Sequence, residues 1–134
     1  FQGSAGNYSA PNGSFLKLSS AGSSWTVKTE TGDQYSFDST GKLNSVTMMG
    51  GHSINLAYYP TDVTGDGVAN DLNTVTDTMT GESLTYTYLT NKLKTIVHSI
   101  DSAVTTDDRT WTYTVGANNL LTSIEGPTFD IAAK

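Results

Sequence analysis

The chain contains no cysteine, so neither a disulfide framework nor a thiolate metal centre is open to it. Proline is confined to three positions, and no apolar run approaches the length of a membrane-spanning helix. Charged residues make up only 15% of the 134, and the seven basic ones (Lys17, Lys28, Lys42, Lys92, Lys94, Arg109 and Lys134) are scattered among thirteen acidic ones, for a net charge of −6. That scatter excludes the basic stripe of a nucleic-acid-binding face and argues against contact with an anionic membrane surface or insertion into one. Ala, Leu, Glu and Lys, the strong helix formers, are sparse. Hydrophobic residues still reach 36%, too many for a disordered chain and enough for a small folded domain.

What is present favours strands. Ser and Thr supply about a quarter of the chain and Gly contributes 13 residues. Trp25, Val27 and Thr29 alternate with Thr26, Lys28 and Glu30, and Leu84, Tyr86 and Tyr88 alternate with Thr85, Thr87 and Leu89. Period-2 alternation marks strands with one packed face. No stretch of ten residues carries a helical stripe. The expected fold class is all-β, an antiparallel meander of about nine or ten strands, since 134 residues fit one domain. Phe1-Gln2-Gly3-Ser4 has the form of an expression-tag remnant, which sets 1–4 apart from a single β domain over 5–134. Residues 128–134 stop without a turn or cap, as expected of a slice from a larger protein.

A repeat lies in the turns. An aromatic-rich strand, a short turn with Gly or Asn, and Leu-x-x-Val or Leu-x-x-Ile recur: Tyr35 and Phe37, then Gly41, then Leu43 and Val46; Tyr86 and Tyr88, then Asn91, then Leu93 and Ile96; Tyr113 and Val115, then Asn119, then Leu121 and Ile124. A fourth copy is split, with Leu56, Tyr58 and Tyr59 separated from Leu72 and Val75 by an insertion at 60–71. The unit is a β-hairpin in which Gly41, Asn91 or Asn119 takes a positive φ. Turns at Thr31-Gly32-Asp33, Gly50-Gly51-His52 and Thr80-Gly81-Glu82 join the far strand ends. The repeat leucines Leu43, Leu72, Leu93 and Leu121 are 29, 21 and 28 residues apart, or two strands and two connections each. A repeat of this kind buries its apolar face only against neighbours, so a twisted ribbon curling on itself is expected.

Phe37-Asp38-Ser39-Thr40-Gly41-Lys42-Leu43-Asn44-Ser45-Val46 resembles the tyrosine-aspartate (YD) repeat of the Rhs proteins, Tyr-Asp-x-x-Gly-Arg-Leu-x-x-Val, with Phe for Tyr and Lys for Arg. The flanking segments 9–18, 25–37 and 50–58 are similar to sequences that surround such repeats, and the likeness spans about 8–127. Later copies depart from the pattern: Tyr59, Leu89 and Gly116 stand where the aspartate would be, and Asn91 and Asn119 replace the glycine. The resemblance implies part of a large bacterial protein, secreted or at the cell surface. Rhs proteins, toxin-complex shell components and teneurins wind such repeats into hollow shells or surface barrels. The implied role is structural scaffold and the implied partners are neighbouring repeats. Open edges in a cut array also invite an edge-strand homodimer.

The insertion carries the sharpest local signal. Asp62, Thr64, Asp66 and Asn70 stand at positions 1, 3, 5 and 9 of a loop with Gly67 at 6, and Val68 offers its carbonyl at 7. Alternating oxygen donors around a sharp glycine turn suit a hard cation, so Ca2+ is the expected ligand, in a structural role. Position 12 is Asn73 rather than a bidentate carboxylate, and Asp71 is the substitute. The competing reading is a polar loop whose Asp and Gly residues serve turn geometry alone.

Other chemistry is thinly represented. His52 and His98, the two histidines, have no Cys or Glu near them in sequence; His52 reads as a turn residue and His98 as a strand residue. No Gly-x-Ser-x-Gly occurs and no spacing selects a carboxylate pair, so the chain is not expected to be an enzyme. The aromatics read first as the packed face of a sheet. The alternative function is a carbohydrate-binding module stacking glycan on Tyr58, Tyr59 and Trp111, with Tyr59 the exposed exception because it breaks the alternation beside Tyr58.

Overall fold

The computed structural model describes residues 2–4, 7–62, 71–101 and 107–127. They form an all-β antiparallel meander. Two compact units divide the chain, Phe1–Leu56 with Asp77–Met79 and Ala57–Thr76 with Thr80–Lys134. The first carries β1 (Gln2–Ser4), β2 (Asn7–Ser9), β3 (Lys17–Ala21), β4 (Ser24–Lys28), β5 (Gln34–Phe37), β6 (Leu43–Thr47) and most of β7 (Ser53–Tyr58). The second carries most of β8 (Leu72–Asp77), then β9 (Ser83–Leu89), β10 (Lys92–Ser99), β11 (Arg109–Val115) and β12 (Leu121–Glu125). Within each unit consecutive strands pair antiparallel. β1 and β2 are three residues each, and β1 lies in 1–4, the stretch set apart in the sequence as a tag remnant.

One local geometry recurs in four of the connections. In loops 29–33, 38–42 and 48–52 the first residue's N–H donates to the fifth residue's carbonyl (2.9, 2.9 and 2.8 Å), and the fourth residue's N–H donates to the first residue's carbonyl (3.2, 3.1 and 3.0 Å). The fourth position needs a left-handed backbone, supplied by Gly32, Gly41 and Gly51 at φ of 98°, 87° and 89°. In the second unit 116–120 repeats the pattern (2.9 and 3.0 Å), with Asn119 at φ 63° in the glycine's place. The β9–β10 connection is shorter: Leu89 pairs with Lys92, and Thr90 and Asn91 between them both have positive φ, 51° and 63°, as a type I′ turn requires.

The Leu-x-x-Val spacing has a structural cause. Two apolar residues three apart on a regular strand point to opposite faces. Here Phe37 pairs with Leu43 while Ser36 pairs with Ser45, so Asn44 is an extra residue in a β-bulge. Lys94 is the extra residue in the second copy and Thr122 in the third. Each bulge returns Leu and Val or Ile to one face, opposite the aromatic strand: Val46 faces Tyr35, Ile96 faces Tyr86 and Ile124 faces Tyr113. All three bulged residues are exposed.

Register sorts the side chains into two chemistries. In the first unit Leu18, Val27, Tyr35, Val46 and Ile54 form a cross-strand apolar row, joined by Trp25, Phe37 and Leu43, while Ser19, Thr26, Ser36, Ser45 and Asn55 form a polar row on the other face. In the second unit Tyr86, Ile96 and Trp111 form such an apolar row, and Thr87, Thr95, Thr112 and Glu125 a polar one. No hydrophobic side chain among the described residues is fully buried. The apolar rows are half-buried beside their cross-strand neighbours.

Candidate functional site

The insertion is grafted onto the repeat hairpin without disturbing its base. Tyr59 N–H donates to the Asp71 carbonyl at 2.8 Å, the same closing bond that Asp38 makes to Lys42, so Tyr59 and Asp71 bracket an enlarged loop. Two tyrosines of the second unit clasp this base. Tyr59 Oη donates to the Tyr86 carbonyl (2.9 Å), Tyr88 Oη donates to the Leu72 carbonyl (2.9 Å), and the two rings meet edge to face at 6.3 Å. Tyr59, expected as an exposed ring, is therefore half-buried. Its break in alternation places it at the first loop position.

Of the expected cation ligands, Thr64, Asp66, Val68 and Asn70 lie outside the described residues. Asp62 is exposed and Asp71 half-buried. Asp71 Oδ2 is a buried oxygen with no hydrogen-bond partner, the kind of acceptor that a cation or a donor satisfies. Burial, and secondly the Asp71 charge, push the Tyr88 phenol up. Elsewhere, no group of three or more His, Asp or Glu side chains with metal-holding geometry occurs among the described residues.

Tyr58 and Trp111 are half-buried too. Trp111 sits opposite Ile96 in the apolar row of the second unit, and among the described residues Phe15 is the one aromatic in the set of large exposed hydrophobics.

A second set of polar groups ties the far-end turns of the first unit together. Asp33 Oδ1 accepts the Met49 backbone N–H at 3.0 Å and Oδ2 accepts the Thr31 hydroxyl at 2.9 Å, linking loop 29–33 to loop 48–52. The Met49 backbone bond, and then Thr31, hold the Asp33 carboxyl below the ordinary aspartate value. His52 Nε2 donates to Asp77 Oδ1 at 2.8 Å; the same oxygen accepts Met79 N–H, and Thr78 donates through both its N–H and its hydroxyl to the Ser53 carbonyl. In the second unit His98 Nε2 lies 3.2 Å from Glu82 Oε2. Thus both histidines have carboxylate partners, 25 and 16 residues away, separations at which only register brings them together.

At the near end Asp38 Oδ1 accepts the Thr40 N–H (2.8 Å), the Thr40 hydroxyl (2.7 Å) and the Lys42 N–H (3.0 Å). The Thr40 hydroxyl, and then the Lys42 N–H, lower its carboxyl value. In the copy lacking that aspartate, Asn118 Oδ1 accepts the Leu120 N–H at 3.2 Å instead. Gly116 at the aspartate position is tightly surrounded: a Cβ there would lie 3.0 Å from Thr122 Cγ2 and 3.2 Å from Asn118 Oδ1, so those side chains would have to shift. These carboxylates organise turns.

The chain matches no protein-family model and no curated protein sequence.

Proposed function

We propose that this chain is a structural scaffold segment of a secreted or cell-surface protein of the Rhs type, whose hairpins are built to stack in an array. The observation that carries this reading is the bulged Leu-x-x-Val hairpin, repeated in three copies with the same register break and the same face assignment. A face kept apolar strand after strand, with no hydrophobic side chain fully buried among the described residues, suits a sheet completed by neighbouring repeats. Half-buried aromatics in cross-strand rows support packing over glycan stacking. The insertion is a calcium-ordered loop, with the unpartnered Asp71 oxygen at its base as the supporting feature and the cation offsetting the entropy of ordering it.

A glycan array probed with labelled protein tests the scaffold role. A scaffold gives no saturable signal; a saturable one abolished by Trp111→Ala would replace it with a carbohydrate-binding module. Isothermal titration of calcium into chelator-stripped protein tests the loop. Binding in the micromolar to millimolar range, lost in Asp66→Ala and weakened in Asp71→Asn, is expected, and absence of heat together with an unchanged melting temperature leaves a plain polar loop.

A further inference from the structure

We propose that β12 is a self-complementary edge through which two copies of this chain join antiparallel, Ile124 facing Ile124 of the second copy. The inference rests on the scaffold reading, since it applies the repeat's own pairing rule to its last strand. Among the described residues β12 pairs with β11 alone, and all five of its residues are exposed, Leu121 at 55% and Ile124 at 56%. Their counterparts Leu43, Val46, Leu93 and Ile96 are half-buried. Each counterpart has a following strand beside it, and β12 has none among the described residues.

Register specifies what that strand must be. Beside β6, Ser45, Val46 and Thr47 face Asn55, Ile54 and Ser53. Beside β10, Thr95, Ile96 and Val97 face Thr112, Trp111 and Thr110. In both cases the covering strand is antiparallel and reads polar, large apolar, polar, with the apolar residue opposite the repeat's Val or Ile. The sequence Ser123-Ile124-Glu125 itself reads polar, large apolar, polar in either direction. A second β12 laid antiparallel about a two-fold axis at Ile124 therefore satisfies the rule. Ser123 then faces Glu125 of the other copy, so no like charges are opposed and the two isoleucines meet on the apolar face. Pro127, which has no N–H to donate, bounds the new ladder at Gly126.

Because the chain has no cysteine, Ile124→Cys provides a unique thiol at the axis. Cβ atoms of directly opposed antiparallel residues lie about 4.5–5.5 Å apart, close enough for oxidation to link them. Sedimentation of the unmodified chain over an about thousandfold concentration range should show a reversible dimer, and Ile124→Lys should raise its dissociation constant about tenfold or more. Mild oxidation should trap dimers of Ile124→Cys and not of Ser45→Cys, which lies on a strand paired on both sides. A monomer at every concentration, a dimer indifferent to Ile124→Lys, or equal cross-linking of the two cysteine variants would overturn the proposal. If circular dichroism shows Ile124→Lys unfolded, Ile124→Thr replaces it. None of these failures bears on the scaffold reading, which the glycan array tests separately.

Discussion

Single residues here mostly serve turn geometry, and for two of them that geometry predicts a response to acid. Asp33 and Asp38 have folded-state values below that of an ordinary aspartate, because each carboxylate accepts a backbone N–H and a threonine hydroxyl. A depressed folded value means that the ionised group stabilises the fold above its unfolded value of about 4, and that the contribution is lost as pH falls through the lower folded value. The melting temperature should therefore hold steady from about pH 7 to pH 5 and decline below about pH 4. A double variant with Asp33→Asn and Asp38→Asn should melt lower at neutral pH and show a shallower acid decline; an unchanged acid limb would remove these two groups from the explanation. Thr90 presents the opposite case, a β-branched residue at φ 51°, where the left-handed region costs about 1–2 kcal/mol. Thr90→Asn should stabilise the protein by about 0.5–1 kcal/mol in urea unfolding, with the denaturant slope unchanged.

At the scale of strands and hairpins, the bulge decides which side chains share a face. Asn44 is the one residue of β6 without a partner on β5, so deleting it leaves Leu43 opposite Phe37 and Val46 opposite Tyr35. Thr26 has a partner on each side, Ser19 and Ser36, and its deletion forces Trp25 or Val27 onto the polar face. Thr26 deletion should cost at least about 1.5–3 kcal/mol, the transfer term for one large apolar side chain, and Asn44 deletion less. Chemical denaturation of the two deletions decides it; equal costs would mean that the bulge carries more than an extra residue. Much of this level could be read from sequence because turn chemistry is local. Gly41, Asn91 and Asn119 have the positive φ their residue types announce, and the hairpin pairs follow. The meaning of the three-residue spacing could not, because bulge placement depends on the partner strand. The same limit hid the His52–Asp77 and Asp33–Met49 links, which exist only once neighbouring turns are in register. Of the candidate site, the insertion was expected at 60–71 and the Tyr59–Asp71 closing bond lies at its base, while the Tyr88 clasp there required knowing that β9 runs alongside.

For the whole molecule, the governing fact is that strands in close contact are neighbours in sequence and that no hydrophobic side chain among the described residues is fully buried. Stability then comes from many half-buried cross-strand pairs, and covering one more strand edge adds burial of the kind the fold already depends on. Dimerisation through β12 would therefore be coupled to folding, since only the folded chain presents Ser123, Ile124 and Glu125 as a strand. A partner that binds the folded state alone raises the melting temperature with its own concentration, here the protein's. Above the dissociation constant, each tenfold rise in concentration should raise the melting temperature by about 2–4 °C for a chain of this size. In Ile124→Lys the rise should begin only at a concentration about tenfold or more higher. A concentration-independent transition in the unmodified chain, or a rise that begins at the same concentration in Ile124→Lys, would place any association somewhere other than this edge.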